Sequence, residues 1–371
     1  MLYRDTYIEI DLDAFRHNIQ QVQQASKKQV FCVCKANAYG HSDYYIAKTA
    51  AASGCAYVCV SSLDEAVSLR QQHLKNDILI LGYIAPKDIE IALKYQISVT
   101  CTSLDWALQV CALDLDLSSL IVHLKVDTGM NRIGMKHLTN LKKAFLCLQA
   151  KRCIMEGIFT HFHSADAIEK TSCKKQLVWF YAMVDELGYD FKWIHTQNSD
   201  ASLSYEDDRS NAIRVGLVLY GIKSVDNPLN VKAVLSLYSH IVHVKEVMKY
   251  ETISYGAEYT CLTNMHVATL PIGYGDGFLR ANQGRYVSVK GTPCEIIGRI
   301  CMDQMMIRLP KIYPIGTSVE LIGKHTPLSK MALELNMSPY EILCLLNDRI
   351  TRKIKASDKT IAVLNNRVCQ K

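Results

Sequence analysis

Val30-Phe31-Cys32-Val33-Cys34-Lys35-Ala36-Asn37-Ala38-Tyr39-Gly40-His41 carries one lysine out of a short apolar run into a group of small and polar residues. The five residues before Lys35 are β-branched, aromatic or cysteine, the composition of a strand buried on both faces. Ala, Asn and Gly after it read as a tight loop, and Asp43–Ala52 reads as a helix. A lysine at the carboxyl end of a buried strand is expected to be poorly hydrated. Its ammonium then loses its proton readily and becomes the nucleophilic amine that a Schiff base requires.

Outward from this stretch, the same strand-then-helix beat repeats. Further strands are expected at 56–60, 78–81, 97–100, 120–126, 155–160, 193–196 and 213–219, with helical stretches at 63–72, 104–112, 138–150 and 174–187. About eight strands alternating with helices over roughly 200 residues is the rhythm of a (β/α)8 TIM barrel, an α/β fold. An open doubly wound sheet is the rival. The unusual residues favour the barrel. Lys35 follows the first strand, Asp127-Thr128-Gly129-Met130-Asn131-Arg132 the fifth and Asn198-Ser199 the seventh, while His161 ends the sixth and Arg214 lies in the eighth. In a barrel the carboxyl ends of the strands converge on one mouth, where active sites form.

Before the barrel, residues 7–10 alternate and lead into a helical pattern with Phe15, Ile19 and Val22 on one face. Near Val231 the helical stretches stop. Alternations at 235–247, 266–270, 286–289, 294–300, 305–309 and 318–322, separated by Gly and Pro turns, predict a mostly antiparallel β domain. Two short helices, 329–335 and 339–346, precede a basic tail. The expected boundaries are a barrel over 1–232 and a β domain over 233–371, with 1–10 able to pair with the latter.

A chain of 371 residues that is 49% hydrophobic suits two domains with sizeable cores. A net charge of +6, without a basic cluster interleaved with aromatics, argues against a nucleic-acid partner. The 14 cysteines are scattered, many inside apolar runs such as Cys55-Ala56-Tyr57-Val58-Cys59-Val60. They read as small buried hydrophobes in a reducing compartment. With no CxxC pair and no Cys/His grouping at zinc spacing, no metal is expected. Met1 leads into Tyr3-Arg4-Asp5-Thr6 without an apolar h-region, and no apolar run is long enough to span a bilayer. The expectation is a cytoplasmic protein without a membrane partner.

The run Lys35-Ala36-Asn37-Ala38-Tyr39-Gly40-His41 resembles the pyridoxal-phosphate lysine motif of the alanine racemase family, the fold-type III enzymes, and further motifs match in the same order along nearly the whole chain. The resemblance implies that Lys35 holds pyridoxal 5′-phosphate. Residues matching Tyr39, Ser199, Gly216 and Leu217 bind phosphate in the family, and the match of His161 packs against the cofactor ring. The match of Arg214 faces the pyridine nitrogen. An arginine in a strand beside Ile213, Val215 and Leu217 is expensive to bury without a partner. Because it does not realistically give up a proton, it leaves that nitrogen unprotonated and the ring a weaker electron sink.

Arg132, in Lys125-Val126-Asp127-Thr128-Gly129-Met130-Asn131-Arg132-Ile133-Gly134, matches the arginine that contacts the cofactor phenolate and the substrate carboxylate. Lys125 matches a lysine that is often N-carbamylated. Racemisation takes the α-proton from one face and returns it to the other, so a second acid/base is needed. Ile253-Ser254-Tyr255-Gly256-Ala257-Glu258-Tyr259-Thr260 resembles the segment whose tyrosine acts opposite the lysine, which makes Tyr255 the candidate. Tyr274, in Pro271-Ile272-Gly273-Tyr274-Gly275-Asp276-Gly277, and Met302, in Gly298-Arg299-Ile300-Cys301-Met302-Asp303-Gln304, carry over as substrate-site residues. Arg280, Arg299 and Asp303 carry over as channel residues. In the family the β domain of one subunit covers the barrel mouth of the other, which implies a homodimer with shared sites.

The implied activity is the interconversion of L- and D-alanine for peptidoglycan precursors. One departure concerns Asp348, where several family members carry a tyrosine that bounds the substrate pocket and touches phosphate. A carboxylate there would repel phosphate, so serine or a broader set of small amino acids stays open as substrate. A fold-type III decarboxylase is a further alternative, but those enzymes present a carboxylate, not an arginine, to the ring nitrogen.

Overall fold

The computed structural model describes residues 3–165, 167, 169–223 and 229–367, so the end of the basic tail lies outside the described residues. The chain divides into two compact units, Phe15–Ala38 with Asp43–Lys232, and Met1–Ala14 with Tyr39–Ser42 and Ala233–Lys371.

The first unit is a parallel barrel of eight strands: Gln29–Val33, Tyr57–Val60, Asp77–Ile80, Val99–Cys101, Ile121–Lys125, Ile154–Phe159, Trp193–His195 and Ala212–Val215. The first strand pairs in parallel with both the second and the eighth. The remaining neighbours follow in chain order. The seam between the third and fourth strands is joined by Ile80 N donating to Ser98 O at 3.0 Å and Ser98 N donating to Ile78 O at 2.9 Å. Central strands such as Tyr57–Val60 are buried along their whole length, as parallel strands covered by helices must be. The helices Leu63–Gln71 and Leu104–Cys111 start where Ser62 and Ser103 cap exposed backbone N–H groups.

The barrel interior is packed, not hollow. The Phe31 ring lies 4.8 Å from Tyr57 and 5.0 Å from His195, and Tyr57 lies 5.4 Å from His123. The eighth strand is shorter than the expected 213–219. It ends at Val215, and Leu217–Tyr220 forms a 3-10 turn, because Gly216 takes up φ −120° and ψ −97° and breaks the extended run.

The second unit is built on a ten-stranded sheet. Thr6–Asp11, buried on alternate residues, lies between Leu235–His240, to which it is antiparallel, and Thr351–Ala356, to which it is parallel. The expected strand at 235–247 is two strands, Leu235–His240 and His243–Val247. The second of these leaves the first's neighbours and pairs with Met265–Leu270. The expected basic tail is also corrected: Thr351–Ala356 and Lys359–Leu364 form an antiparallel hairpin. Its turn residues Ser357 and Asp358 have φ of 49° and 58°, the left-handed pair that matches strand twist. The closely spaced charges of Arg352, Lys353 and Lys355 hid this alternation, although Arg352 itself is buried. Every cysteine among the described residues is a free thiol, and among them no helix is long and apolar enough to cross a membrane.

Candidate active site

Lys35 leaves the first barrel strand and opens the short helix Lys35–Gly40, where a tight loop was expected. That helix is left-handed: Ala36, Asn37, Ala38 and Tyr39 have φ of 54°, 52°, 51° and 52°, and Gly40 has 79°. For L-residues this conformation costs about 1–2 kcal/mol each, so the surroundings must hold it. Glu65 Oε1 accepts from Ala36 N at 2.8 Å while Glu65 Oε2 accepts from Ser61 N at 2.8 Å. Ala38 N donates to Cys34 O at 2.8 Å, and Asp43 N donates to Asn37 Oδ1 at 2.9 Å. Lys35 itself is partly exposed rather than buried, since the left-handed turn lifts it beyond the end of the strand.

Arg214 lies deep in the barrel, 3% exposed. Its Nη1 donates to His195 Nδ1 at 2.8 Å and to His195 O. Its Nη2 donates to Thr160 O at 2.6 Å and Thr196 O at 3.1 Å, and lies 3.3 Å from His161 Nδ1. The Phe159 ring lies 5.0 Å from the guanidinium. Burial lowers the arginine pKa to about 10, so it stays a cation at neutral pH.

His161 gathers the remaining charges. Its pKa is driven well below 6.5 by burial first, then by Arg214, Lys125, Arg132 and Lys35. Three basic side chains besides Lys125, namely Arg214, Arg132 and Lys35, act on one imidazole and make a site suited to anions. Lys125, 4% exposed, donates to Val126 O at 3.3 Å and sits 4.9 Å from the Phe159 ring. Burial, together with Arg214 and Arg132, pushes its ammonium well below 10.5 against the pull of Asp127. Arg132 is exposed on the loop after the fifth strand. That loop is shaped by Asp127 Oδ1, which accepts from Gly129 N and Asn131 N at 3.0 Å each. Ser199 begins the short helix Ser199–Ser204, capped by Asn198, and its Oγ accepts from Gly216 N at 2.9 Å. The structure thus brings Lys35, Lys125, Arg132, His161, Ser199, Arg214, Gly216 and Leu217 to strand ends of one unit.

In the second unit, Tyr39 is buried with its ring 5.2 Å from that of Tyr340. Tyr255 stands in the turn Tyr255–Ala257 and is 66% exposed. It lines an open groove with Ile253, Ser254, Cys301, Gln304 and Met306. Ser254 Oγ donates to Arg299 O at 2.6 Å, and Arg299 pairs with Glu258. The Tyr274 segment is sewn to the Met302 segment: Tyr274 N donates to Cys301 O at 3.1 Å and Gly275 N to Met302 O at 2.9 Å. Arg280 lies 4.8 Å over the Tyr274 ring, and Arg349 Nη2 donates to Asp303 Oδ1 at 2.6 Å. Asp276, fully buried, is held by Arg4 Nη1 at 2.6 Å. Asp348 accepts from Arg367 Nη2 at 2.8 Å.

Sequence reasoning missed His195, His123, Glu156 and Glu65. The two histidines stand inside apolar strands, in Ile121-Val122-His123-Leu124 and Trp193-Ile194-His195, and such polar breaks are the signal that could have marked them.

Residues 10–224 match the family model "Alanine racemase, N-terminal domain" and residues 234–354 match "Alanine racemase, C-terminal domain". The alanine racemase of Streptococcus suis is 42% identical over 94% of this chain and 98% of its own. That of Streptococcus equi subsp. equi is 41% identical over 95% and 99%. Alanine racemase from Bacillus anthracis, solved with bound L-Ala-P, superposes with a TM-score of 0.94 at 35% identity, covering 98% of each chain. Histidine racemase from Leuconostoc mesenteroides superposes with a TM-score of 0.88 at 26% identity, covering 96% of this chain and 98% of its own. With both family domains matched across the barrel and the β unit, the chain belongs to the alanine racemase family and is an amino-acid racemase, an isomerase.

Proposed function

We propose that this racemase interconverts L- and D-alanine, with pyridoxal 5′-phosphate held by Lys35, in the cytoplasm, and that its D-alanine supplies peptidoglycan synthesis. The observation that carries this is Arg214, a buried cation whose hydrogen-bond partners are carbonyls and imidazoles and none a carboxylate. Such a donor suits an unprotonated ring nitrogen, and the cations around His161 suit a phosphate and a phenolate. Bound there, the cofactor would supply the electron sink for a carbanion at the substrate α-carbon.

Lys35 takes and returns the α-proton on one face, and the partner subunit's Tyr255 does so on the other. Arg132 orients the substrate carboxylate, Tyr274 and Met302 border it, and Arg280, Arg299 and Asp303 line the approach. Tyr39, Ser199 Oγ and the backbone N–H groups of Gly216 and Leu217 hold phosphate. His161 packs beside the cofactor ring. Lys125, whose pKa is lowered by burial and by Arg214, is open to carbamylation by carbon dioxide, which would turn it into an anion able to hold Arg132. The site is complete only in a homodimer.

Asp348 bears on substrate range, and its pairing with Arg367 offsets the repulsion a bare carboxylate would exert. Alanine is the first substrate in this reading, with serine and other small amino acids tested beside it. The experiment is incubation of the purified protein with single L-amino acids followed by chiral chromatography. Lys35→Ala should lose both turnover and the visible absorbance of the bound cofactor. Tyr255→Phe should keep that absorbance and lose about 100-fold or more in kcat. Normal absorbance in Lys35→Ala removes the proposal.

A further inference from the structure

We propose that the buried His123 is a positioning residue for Arg214, acting through His195 by a one-way chain of hydrogen-bond donors that fixes both imidazole tautomers, and that the Glu156 carboxylate biases that chain by its charge from the far end. The catalytic consequence rests on the function proposed above; the chain itself rests on geometry alone.

An arginine only donates, so His195 Nδ1, 2.8 Å from Arg214 Nη1, must accept. His195 is 0% exposed, and burial followed by the Arg214 charge holds its pKa well below 6.5, so the ring is neutral. Its single proton therefore sits on Nε2, which lies 2.9 Å from His123 Nδ1. His123 Nδ1 must then accept. His123, also 0% exposed and kept neutral by burial, carries its proton on Nε2. That nitrogen lies 3.5 Å from Glu156 Oε2, an electrostatic contact longer than a formed hydrogen bond. The opposite tautomers would set an N–H of His195 against an N–H of Arg214. Among the described residues His123 Nε2 has no hydrogen-bond partner, so the Glu156 carboxylate favours a proton on that nitrogen through its charge.

The backbone is built for this chain. Ile121 and Val122 pair with Ile154 and Met155, but His123 pairs with Gly157, which makes Glu156 the extra residue of a β-bulge. A Cβ on Gly157 would stand 2.3 Å from His123 Nδ1, so glycine makes the space for the imidazole pair. Glu156 also accepts from Tyr57 Oη and, at 2.7 Å, from Lys192 Nζ. Burial alone would raise its pKa; contacts with His123, Lys192 and Tyr57 outweigh burial and hold it at about 2. The far end of the chain is therefore a fixed anion.

The test combines histidine 15N shifts, read in cofactor-free and loaded protein, with steady-state kinetics of Glu156→Leu, Glu156→Gln and His123→Phe. In the unmutated protein both rings should be Nε2–H and should not titrate between about pH 6 and 8. Glu156→Leu should lose that tautomer order and about 10- to 100-fold in kcat, with KM within about 3-fold. Glu156→Gln, which keeps the side-chain shape and removes the charge, should show most of the same loss. His123→Phe keeps the ring volume, removes the acceptor and should match Glu156→Leu. An Nδ1–H tautomer on either ring of the unmutated protein overturns the proposal. So do disrupted tautomers with unchanged kcat. If the unmutated protein racemises no amino acid, the function proposed above fails while the nitrogen shifts still decide the chain.

Discussion

Arg214 donates from Nη1 to Nδ1 of His195 across 2.8 Å, and the remaining acceptors around its two Nη atoms are carbonyls and a second imidazole. None of these partners is a carboxylate. A buried guanidinium bound in this way stays charged yet keeps its field uncancelled within the barrel, and its plane is set by acceptors from two strand ends.

Arg214→Lys should therefore be far from conservative. A single ammonium does not reach Thr160 O, Thr196 O and His195 Nδ1 together, and each buried acceptor left alone costs roughly 1–3 kcal/mol. Urea unfolding should show a loss of about 2–5 kcal/mol, and kcat/KM should drop about 100-fold. An unfolding midpoint equal to that of the unmutated protein counts against this account.

Gly157→Ala should destabilise the barrel by about 1–3 kcal/mol, because the added methyl meets His123 Nδ1 at 2.3 Å and the ring has no free volume to enter. Gly284→Ala, where nothing lies within 4 Å, is the spatial control, although its φ of 80° makes it mildly strained. Chemical denaturation followed by circular dichroism compares the two.

Stability should decline as pH falls below about 6.5. His123, His161 and His195 all have folded-state pKa values depressed by burial and neighbouring cations. Above 6.5 neither folded nor unfolded imidazoles bind protons, so these groups leave stability unchanged. Below it the unfolded chain binds protons that the folded barrel refuses, and each ring removes up to about 1.4 kcal/mol per pH unit. Glu156 adds a loss at lower pH, from its ordinary 4.5 down through about 2. Denaturant titrations at stepped pH should show the decline setting in near 6.5; a flat profile from pH 7 to 5 would count against neutral imidazoles.

Glu65→Ala should loosen the turn that presents Lys35. The carboxylate bridges Ala36 N and Ser61 N at 2.8 Å each, and its loss should cost roughly 1–2 kcal/mol. Because four non-glycine residues beyond Lys35 are held in left-handed conformation, the local effect should exceed the global one. Hydrogen exchange at Ala36 and Ser61 should quicken while the amides of Tyr57–Val60 stay protected. Equal acceleration in both places would mean that Glu65 supports the whole barrel instead.

Much of this architecture is written in local pattern. The strand at Gln29–Val33 and the helix at Leu138–Ala150 follow from runs whose period reports their burial, and the barrel strands alternate with helices in the order read from the chain. The pattern misled where one residue outweighed it, as at Gly216, which ends the eighth strand early. It also misled where charges masked an alternation, as in the hairpin of Thr351–Ala356 and Lys359–Leu364. The exposure of Lys35 was misjudged because a left-handed turn has no compositional signature beyond the small residues that also make loops.

By itself, the order of residues determined that this protein has a barrel, that its chemistry-bearing side chains stand at the strand ends, and that a β unit follows, because periodicity and turn residues act over a few positions. Only the tertiary structure decided what Arg214 is bonded to, which nitrogens of the buried imidazoles face one another, and how Glu65 reaches the Lys35 turn. Those contacts join residues such as His123 and His195, 72 positions apart, and hydrogen-bond direction in a dry interior is fixed by neighbours in space rather than in sequence.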